Sequence, residues 1–440
     1  MSRETAVALP WRRGIAWLLF LGPFFFLSYG FANWWAGSGY ATPGALVFSW
    51  ERQIPFIPWT IVPYWSIDLF YGLSFLLCRN RQEVDRHAYR LLTAQVIAIA
   101  CFVAMPLRFS FERPVADGAF GALFTALAGF DKPFNQAPSL HIALLVILWV
   151  RFAAASTGLA RQAVHLWAAL IGISVLTTYQ HHFIDIPTGA LLGLFCLWLW
   201  PDGAPTPIST WRWTCSIARR RLGLYYLAGA ALCIALAIPG GALLWLLWPA
   251  IALLFVALIY LGLGAPGFQK SAGRLSIASR WLMAPYTAGA WLNSRLWTRH
   301  DHHAVEVADG VWLGRLPTGD EMRAGGFNAL LDLTAELPAP QGVWHYENLP
   351  WLDLVAPDAD QLRHAAARIE WLRQRGSVRV CCALGYGRAV GAVAAWLLVS
   401  GRAVNLDQAL EVIGKRRRVA LGADQRAALA ELSIHSARAV

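Results

Sequence analysis

Long apolar runs, separated by short polar segments, occupy the chain up to about Leu263. A helix needs about 20 mostly apolar residues to cross the hydrocarbon core of a bilayer. Eight segments approach this length, so the pattern predicts an α-helical, polytopic membrane domain of about eight spans. These segments are residues 14–34, 59–78, 91–107, 140–157, 165–181, 186–200, 222–239 and 241–262.

A different pattern follows these runs. In residues 264–303, tryptophan and leucine are interspersed with basic residues, which is typical of an amphipathic segment on the inner membrane surface. A short helix packed on the next domain is the alternative. From residue 304 the pattern predicts a soluble α/β domain. Its predicted strands are 327–333 and 377–382, and its predicted helices are 358–375 and 389–401.

Composition agrees with a membrane protein. Of the 440 residues, 57% are hydrophobic and only 14% are charged, whereas soluble domains are about 25% charged. The net charge of +11 raises the question of whether the protein binds nucleic acid. The basic residues lie mostly between apolar runs or in the soluble tail, without an aromatic–basic platform, so nucleic-acid binding is not expected.

The placement of basic residues predicts an orientation, because cytoplasmic loops are enriched in Lys and Arg. Basic segments precede the first run and separate runs two and three, four and five, and six and seven. These segments alternate correctly, which places both termini in the cytoplasm. The soluble tail then faces a reducing compartment, where a free cysteine persists.

Three polar patches fall at the outward ends of the predicted spans. They read RFSFERP (108–114), APSLHIA (137–143) and YQHHFIDIPTG (179–189). Ionisable groups at the edge of the bilayer core are costly and usually serve a function. Their convergence on one membrane face predicts a functional site there.

The chemistry predicted for this site is phosphoryl transfer through histidine. The spacing of His181 and Asp185 would place them on one face if this segment is helical. A carboxylate that holds one imidazole nitrogen leaves the other free to attack phosphorus. His141 would protonate the leaving oxygen. Arg113 and Arg108 would hold the phosphate, to which Ser139 would donate a hydrogen bond. For Arg108 the plain alternative is an arginine reaching the lipid headgroups, and for His182 it is an interfacial residue.

The ordered set Arg-Pro, Pro-Ser-x-His and His-x3-Asp resembles the type 2 phosphatidic acid phosphatase superfamily over residues 14–200. The resemblance implies a six-span core in which His181 is the nucleophile, His141 the acid and Asp185 the residue that orients the nucleophile. Three positions depart from the usual motifs: Pro106, Leu140 and Val175 stand where the family has Lys or Arg, Gly, and Arg.

The motifs PSLH and HHFIDI look closer to the inositol phosphorylceramide synthase and sphingomyelin synthase branch. Those enzymes transfer a phospho-headgroup from one lipid to another. A phosphodiester carries less charge than a monoester and needs fewer arginines. Hydrolysis and transfer therefore both remain open for the membrane domain.

A second phosphate motif, VCCALGYGRAV, spans residues 380–390 between a predicted strand and a predicted helix. Loop amides and a helix N-terminus bind phosphate, and their positive potential favours a thiolate at Cys382. Arg388 would grip two phosphate oxygens. Gly385 and Gly387 would allow the sharp turn.

This motif resembles the cysteine-based dual-specificity phosphatase family over residues 305–435, as do VADGVWLGRLP and NLPWLDLVAPDADQL. The resemblance implies that Cys382 forms a phosphocysteine and that Asp353 is the general acid. Asp358 is the fallback, although it also fits a helix cap. Two positions depart: Cys381 replaces the usual His, and Ala389 the usual Ser or Thr.

Fusions of these two families exist in bacteria. The predicted protein is a bifunctional phosphatase of the bacterial inner membrane that acts on lipid phosphates, without a cofactor or metal. The alternatives are a headgroup transferase coupled to a lipid phosphatase, a membrane-anchored phosphatase of phosphoproteins, and a non-catalytic lipid-binding scaffold. The predicted parts are 1–200 (six spans), 201–263 (two more), 264–303 (interfacial linker) and 304–440 (phosphatase domain).

Overall fold

The computed structural model describes residues 10–39 and 42–436, so the outermost residues of the predicted end domains lie outside it. The chain divides into two compact units between Ser209 and Thr210. The helices of the first unit are α1 (Trp11–Gly37), α2 (Ile61–Ser74), α3 (Arg81–Ala104), α4 (Gly118–Ala128), α5 (Leu140–Ala155), α6 (Gly158–Thr177) and α7 (Asp185–Leu199), followed by α8 (Pro207–Thr210) at the boundary.

Each predicted apolar run falls on a helix. Within the described residues, six helical segments are long and apolar enough to cross a membrane, which marks a membrane protein. Helices α5 and α7 are apolar but shorter, at 16 and 15 residues. The six segments are Trp11–Gly37, Pro58–Leu77, Arg81–Ala104, Gly158–Thr177, Ile217–Ala237 and Gly241–Leu263.

Helix α5 is central to the first unit and contacts α2, α3, α6 and α7. Its contact with α7 is close because α7 carries glycine at positions 189 and 193. A Cβ atom built on Gly189 would lie 2.5 Å from the Ser139 carbonyl oxygen, and one on Gly193 would lie 2.6 Å from that of Ala143. Small residues four apart allow helix backbones to approach in this way. The approach brings the second and third polar patches together.

The second unit begins with an apolar helical pair, α9 (Ile217–Ala237) and α10 (Leu247–Leu258), and continues into an α/β domain. Its further helices are α11 (Ile277–Leu282), α12 (Ala284–Trp297), α13 (Gly319–Ala324), α14 (Ala359–Arg373), α15 (Arg388–Val399), α16 (Leu406–Gly414) and α17 (Ala423–Ser436). Its strands are β1 (Lys270–Ser271), β2 (Arg274–Leu275), β3 (Val305–Ala308), β4 (Val311–Arg315), β5 (Ala329–Thr334), β6 (His345–Trp351) and β7 (Val378–Cys382).

The main sheet has the order β3-β4-β7-β5-β6. Strand β3 is antiparallel to β4, and the other neighbours are parallel. Strand β7 is therefore central, and its residues Val378–Cys382 are all buried. Helices α14 to α17 share one core with the sheet, while α12 and α13 contribute to the core on its other side. Ligands in such sheets bind beyond the carboxyl ends of the strands, where β7 ends at Cys382.

Part of the predicted linker belongs to the α/β domain. Strands β1 and β2 form a hairpin, and the Lys270 ammonium donates to Asp332 Oδ2 at 2.6 Å and to the Thr334 carbonyl at 2.8 Å. Helix α12 packs through one face, since its buried Ser294 donates to the Ala383 carbonyl. Large apolar side chains of the same helix are exposed. These are Trp291, Leu292, Leu296 and Trp297.

Candidate active sites

The histidine proposed as nucleophile is held on both of its nitrogens. His181 Nδ1 lies 3.1 Å from Asp185 Oδ2, and Nε2 lies 3.1 Å from Ser139 Oγ. An ionised carboxylate only accepts hydrogen bonds, so Nδ1 carries the proton. Nε2 then presents its lone pair and accepts from the Ser139 hydroxyl. All three side chains are buried, with 7% of His181 and 1% of Asp185 exposed.

Helix ends place these groups. Ser139 is the N-cap of α5, where its hydroxyl oxygen accepts from the Ile142 amide at 3.2 Å. Asp185 is the first residue of α7, and His181 lies in the turn before it. The Ser139 amide donates to the Asp185 carbonyl at 3.2 Å. Thus the close α5–α7 contact sets the distance between the predicted nucleophile and its neighbours.

The second predicted histidine lies in the first turn of α5. The His141 ring stacks on Tyr64, with ring centroids 4.3 Å apart. His141 Nε2 has no hydrogen-bond partner within the described residues. Both His141 and His181 line one cavity of about 340 Å³. His141 is therefore available to exchange a proton with a molecule in that cavity.

The two predicted arginines differ. Arg113 donates to the Tyr179 carbonyl at 3.0 Å, and its guanidinium lies 5.3 Å from the Phe124 ring centroid. Its buried Nε has no partner in the described part of the chain. Arg108 is exposed, and its backbone amide pairs with the Gly44 carbonyl. Only Arg113 is thus fixed beside the polar patches.

His182 has a role that the sequence did not reveal. The Ser110 amide donates to His182 Nε2 at 3.1 Å, so Nδ1 carries the proton and donates to Glu51 Oε2 at 3.0 Å. Glu51 also accepts from the amides of Phe48 and Phe183. The Ser110–His182 hydrogen bond ties the loop of the first polar patch to the third, and the buried Glu51 holds the His182 ring in place. The interfacial interpretation of His182 is therefore replaced by a positioning one.

The second site lies at the end of β7. Cys382 is 3% exposed, and the Gly385 amide points at its sulfur, 3.2 Å away. Gly385 has φ +76°, and a Cβ there would lie 2.4 Å from the Gly314 carbonyl carbon. Glycine is thus required at Gly385. Gly387 has φ −117° and carries no such requirement.

Arg388 opens α15 and is buried between two acids. It donates to Glu336 through two nitrogens, at 2.7 and 3.0 Å, and to the Trp351 carbonyl at 2.8 Å. Asp353 Oδ1 lies 3.0 Å from the same guanidinium. Burial opposes ionisation of Glu336, but Arg388 outweighs it and holds the pKa of Glu336 below its usual value. Arg388 Nε has no partner in the described residues, which leaves a donor for a phosphate oxygen.

Asp353, the predicted acid, lies beside Arg388 with its side chain 36% exposed. Burial raises the pKa of Asp353 above its usual value, and Glu336 adds to the rise while Arg388 opposes it. A raised carboxyl pKa suits a general acid. Tyr260, from the apolar segment Gly241–Leu263, donates its hydroxyl to the Asp353 carbonyl at 2.9 Å. The fallback residue Asp358 instead caps α14, accepting from the Gln361 amide at 2.7 Å.

The basic run Lys415 to Arg418 contains a residue that supports the loop after Cys382, which the sequence did not predict. Arg417 is 5% exposed and donates to the carbonyls of Leu384 and Gly385, each at 3.0 Å. Arg417 thus holds the Leu384–Gly385 peptide unit, whose amide points at the Cys382 sulfur. Arg417 is therefore an internal support of the loop rather than a surface charge.

The two departures from the phosphatase motif are both buried. Cys381 is 0% exposed, and burial raises the pKa of its thiol well above the usual value. Cys381 therefore fits a neutral core residue. Ala389 is also 0% exposed in the first turn of α15.

Comparisons with known proteins agree with part of this description. Residues 87–206 match the PAP2 superfamily model, so the chain contains a PAP2 superfamily domain there. A search of curated protein sequences gave no match. The branch closer to the synthases stays a prediction.

Several solved structures are similar to part of the chain. PTPMT1 is 20% identical, with TM-score 0.28, over 31% of this chain and 98% of that one. Human DUSP28 is 20% identical, with TM-score 0.29, over 31% and 99%. The active form of Tk-PTP is 28% identical, with TM-score 0.28, over 30% and 96%.

Proposed function

We propose that the protein is a bifunctional membrane phosphatase of lipid phosphates, with one site that uses histidine and another that uses cysteine. The observation that supports the proposal is that each unit brings together the residues predicted as nucleophile and as acid. In one unit, His181 and His141 line the same cavity. In the other, Cys382 lies in the loop that leads to Arg388, which is paired with Asp353.

At the histidine site, His181 Nε2 attacks phosphorus and forms an N–P bond while the bond to the lipid oxygen breaks. Asp185 stabilises the charge that develops on the imidazole. Arg113 and Ser139 donate hydrogen bonds to the phosphate, and His141 gives a proton to the departing alcohol. Water then attacks the phosphohistidine and returns a proton to His141, which releases phosphate.

At the cysteine site, the Cys382 thiolate attacks phosphorus while the loop amides and Arg388 hold the other oxygens. Glu336 keeps the guanidinium in place. Asp353 protonates the leaving oxygen and then accepts a proton from the water that hydrolyses the phosphocysteine.

Two features favour lipid substrates. The cavity at His181 and His141 has a largely apolar wall, including Leu21 and Phe25 of α1, which suits a lipid chain. At the cysteine site, the loop of Asp353 is held by Tyr260 from a segment apolar enough to span a membrane. A phosphate presented at the membrane surface would therefore lie near Cys382.

For the topology we propose eight spans with both termini in the cytoplasm of a bacterial cell, as the basic loops predict. Helices α5 and α7 would be its short spans. The histidine site would then open outward and the cysteine site would face the reducing cytoplasm. The predicted boundaries at 200, 263 and 303 stay a proposal, in which residues 270–275 of the 264–303 segment pack on the α/β domain.

A second candidate function for the membrane domain is transfer of a phospho-headgroup between lipids. The observation in its favour is that Arg113 is fixed at the site whereas Arg108 is exposed. One arginine suits the single charge of a phosphodiester better than the two charges of a monoester.

The test is turnover by the full-length protein in nanodiscs, with phosphatidic acid in one series and a phosphotyrosine peptide in the other. We expect lipid turnover that falls partly in His181→Ala, partly in Cys382→Ser, and to background in the double variant. Peptide turnover that depends on Cys382, together with lipid turnover that neither variant alters, would contradict the proposal and favour a membrane-anchored protein phosphatase.

A further inference from the structure

The cavity at the two histidines has a polar wall that the phosphate chemistry above does not use. Asp131, in the loop after α4, lines this wall and accepts from Tyr29 at 2.7 Å and from Tyr64 at 3.4 Å. Asp68 of α2 lines the same cavity, as does Asn135. We call Tyr29, Tyr64, Asp131 and Asn135 the alcohol pocket.

The alcohol pocket has free acceptors rather than free donors. Asn135 is 2% exposed, its amide nitrogen donates to the Tyr29 carbonyl, and its Oδ1 has no partner in the described residues. Both tyrosine hydroxyls already donate to Asp131. A buried acceptor without a donor is costly, so this wall fits a molecule that brings hydrogen-bond donors.

A phosphate group is not expected to bind against this wall of the cavity. Two carboxylates, Asp131 and Asp68, would repel its negative charge. The Asp131 carboxylate and Asn135 Oδ1 also only accept hydrogen bonds, and an ionised phosphate brings no donor to them. A hydroxyl or ammonium group meets neither objection.

The wall is also on the side of the proton donor. Tyr64 stacks on His141 and donates to Asp131. In an in-line displacement the leaving alcohol departs on the side opposite the nucleophile, where His141 protonates it. By microscopic reversibility, an alcohol that attacks the phosphohistidine enters from that side and gives its proton to His141.

We propose that the alcohol pocket binds the hydroxyl- or ammonium-bearing part of a small polyol or amino alcohol, and so directs phosphoryl transfer to that alcohol in competition with water. The alcohol oxygen forms a bond to phosphorus, the N–P bond to His181 breaks, and the alcohol proton passes to His141. The inference rests on the proposed histidine chemistry.

The experiment measures how the phosphohistidine divides between water and an added alcohol. Full-length Cys382→Ser protein in nanodiscs receives labelled phosphatidic acid with 1-propanol, 1,3-propanediol or 3-amino-1-propanol at equal concentration. The ratio of alkyl phosphate to free phosphate is recorded for each alcohol. The three alcohols have the same chain length and differ in the terminal donor.

We expect the diol and the amino alcohol to give ratios about tenfold above 1-propanol, the size of one hydrogen bond to a charged acceptor. Asp131→Asn should abolish most of that preference, and Tyr29→Phe should reduce it. Asp117→Asn, an exposed carboxylate near α4, should preserve it. Each ratio comes from one phosphoenzyme population, so partial loss of folded protein cancels.

Equal ratios for the three alcohols, no transfer to any of them, or an unchanged preference in Asp131→Asn would each overturn the inference. Failure of the proposed function has a different signature. In that case His181→Ala would leave the release of phosphate unchanged in the same Cys382→Ser background.

Discussion

The histidine site and the cysteine site assemble similar chemistry in different ways. The first takes its groups from three polar patches separated by whole helices. The second takes its nucleophile, loop amides and arginine from the segment between Cys382 and Arg388. The histidine site therefore depends on how helices pack, whereas the cysteine site depends on how one loop is held. Substitutions that disturb helix packing should therefore impair the histidine site, and substitutions that disturb the loop should impair the cysteine site.

The largest effect is expected at the acid of the cysteine site. Asp353→Asn should slow turnover of alkyl phosphates by about a hundredfold or more, and aryl phosphates with good leaving groups much less. The raised pKa means that Asp353 keeps its proton to higher pH than an ordinary carboxyl. Cysteine-site turnover should fall as pH rises through that pKa, and Asp353→Asn should lose this fall. The profiles are measured in a His181→Ala background, and an unchanged profile in Asp353→Asn would point to another acid.

The next effect tests packing at the histidine site. Gly189→Ala places a methyl group where the Ser139 carbonyl lies 2.5 Å away, so α7 must shift relative to α5. A shift of about 1 Å can cost about a hundredfold in rate, and we expect a loss of that order in a Cys382→Ser background. Gly30→Ala, with nothing within 4 Å, is the matched control. Equal activity of Gly189→Ala and Gly30→Ala would show that the close helix contact is not needed.

A smaller effect tests how the cysteine loop is held. Arg417→Gln removes the guanidinium that binds the carbonyls of Leu384 and Gly385. The loop amides should then lose their common orientation, and we expect cysteine-site turnover to fall about tenfold, as for the loss of a charged hydrogen bond. Arg416, its exposed neighbour, provides the control Arg416→Gln. Similar loss in both variants would indicate a general charge effect.

The smallest effect concerns the apolar segment that reaches the acid loop. Tyr260→Phe removes one neutral hydrogen bond to the Asp353 carbonyl, so cysteine-site turnover should fall about threefold. The change should appear in kcat for alkyl phosphates rather than in thermal stability. Tyr225→Phe, on an exposed position of α9, is the control. Equal turnover of Tyr260→Phe and Tyr225→Phe would show that the Tyr260 hydrogen bond does not position the loop of Asp353.

The sequence predicted the elements of both units well, because long apolar runs and the strand–loop–helix pattern are local signals. It located a helix on every apolar run, but it treated residues 108–139 as a loop and missed α4, whose 11 residues are too few for a span. It assigned residues 264–303 to a linker, although Lys270 is buried against Asp332. That ion pair joins positions far apart in sequence, which no local pattern reveals.

The candidate sites show the same limit. Motif spacing identified His181, Asp185, Cys382 and Arg388, since each has a neighbour in sequence that defines its chemistry. Glu336 and Arg417 act on residues tens of positions away and left no local sign. Asp131 did leave one, because the segment 108–139, which the sequence predicts to face outward, carries six charged residues.

Phosphoenzyme trapping tests the central claim of two separate nucleophiles most directly. Labelled phosphatidic acid is mixed with full-length protein, the reaction is quenched, and the labelled residue is identified by mass spectrometry. We expect alkali-stable, acid-labile label on His181 in Cys382→Ser, and label bound through sulfur as phosphocysteine on Cys382 in His181→Ala. Label on a single residue in the wild type, or label that persists on a different residue in either variant, would contradict it.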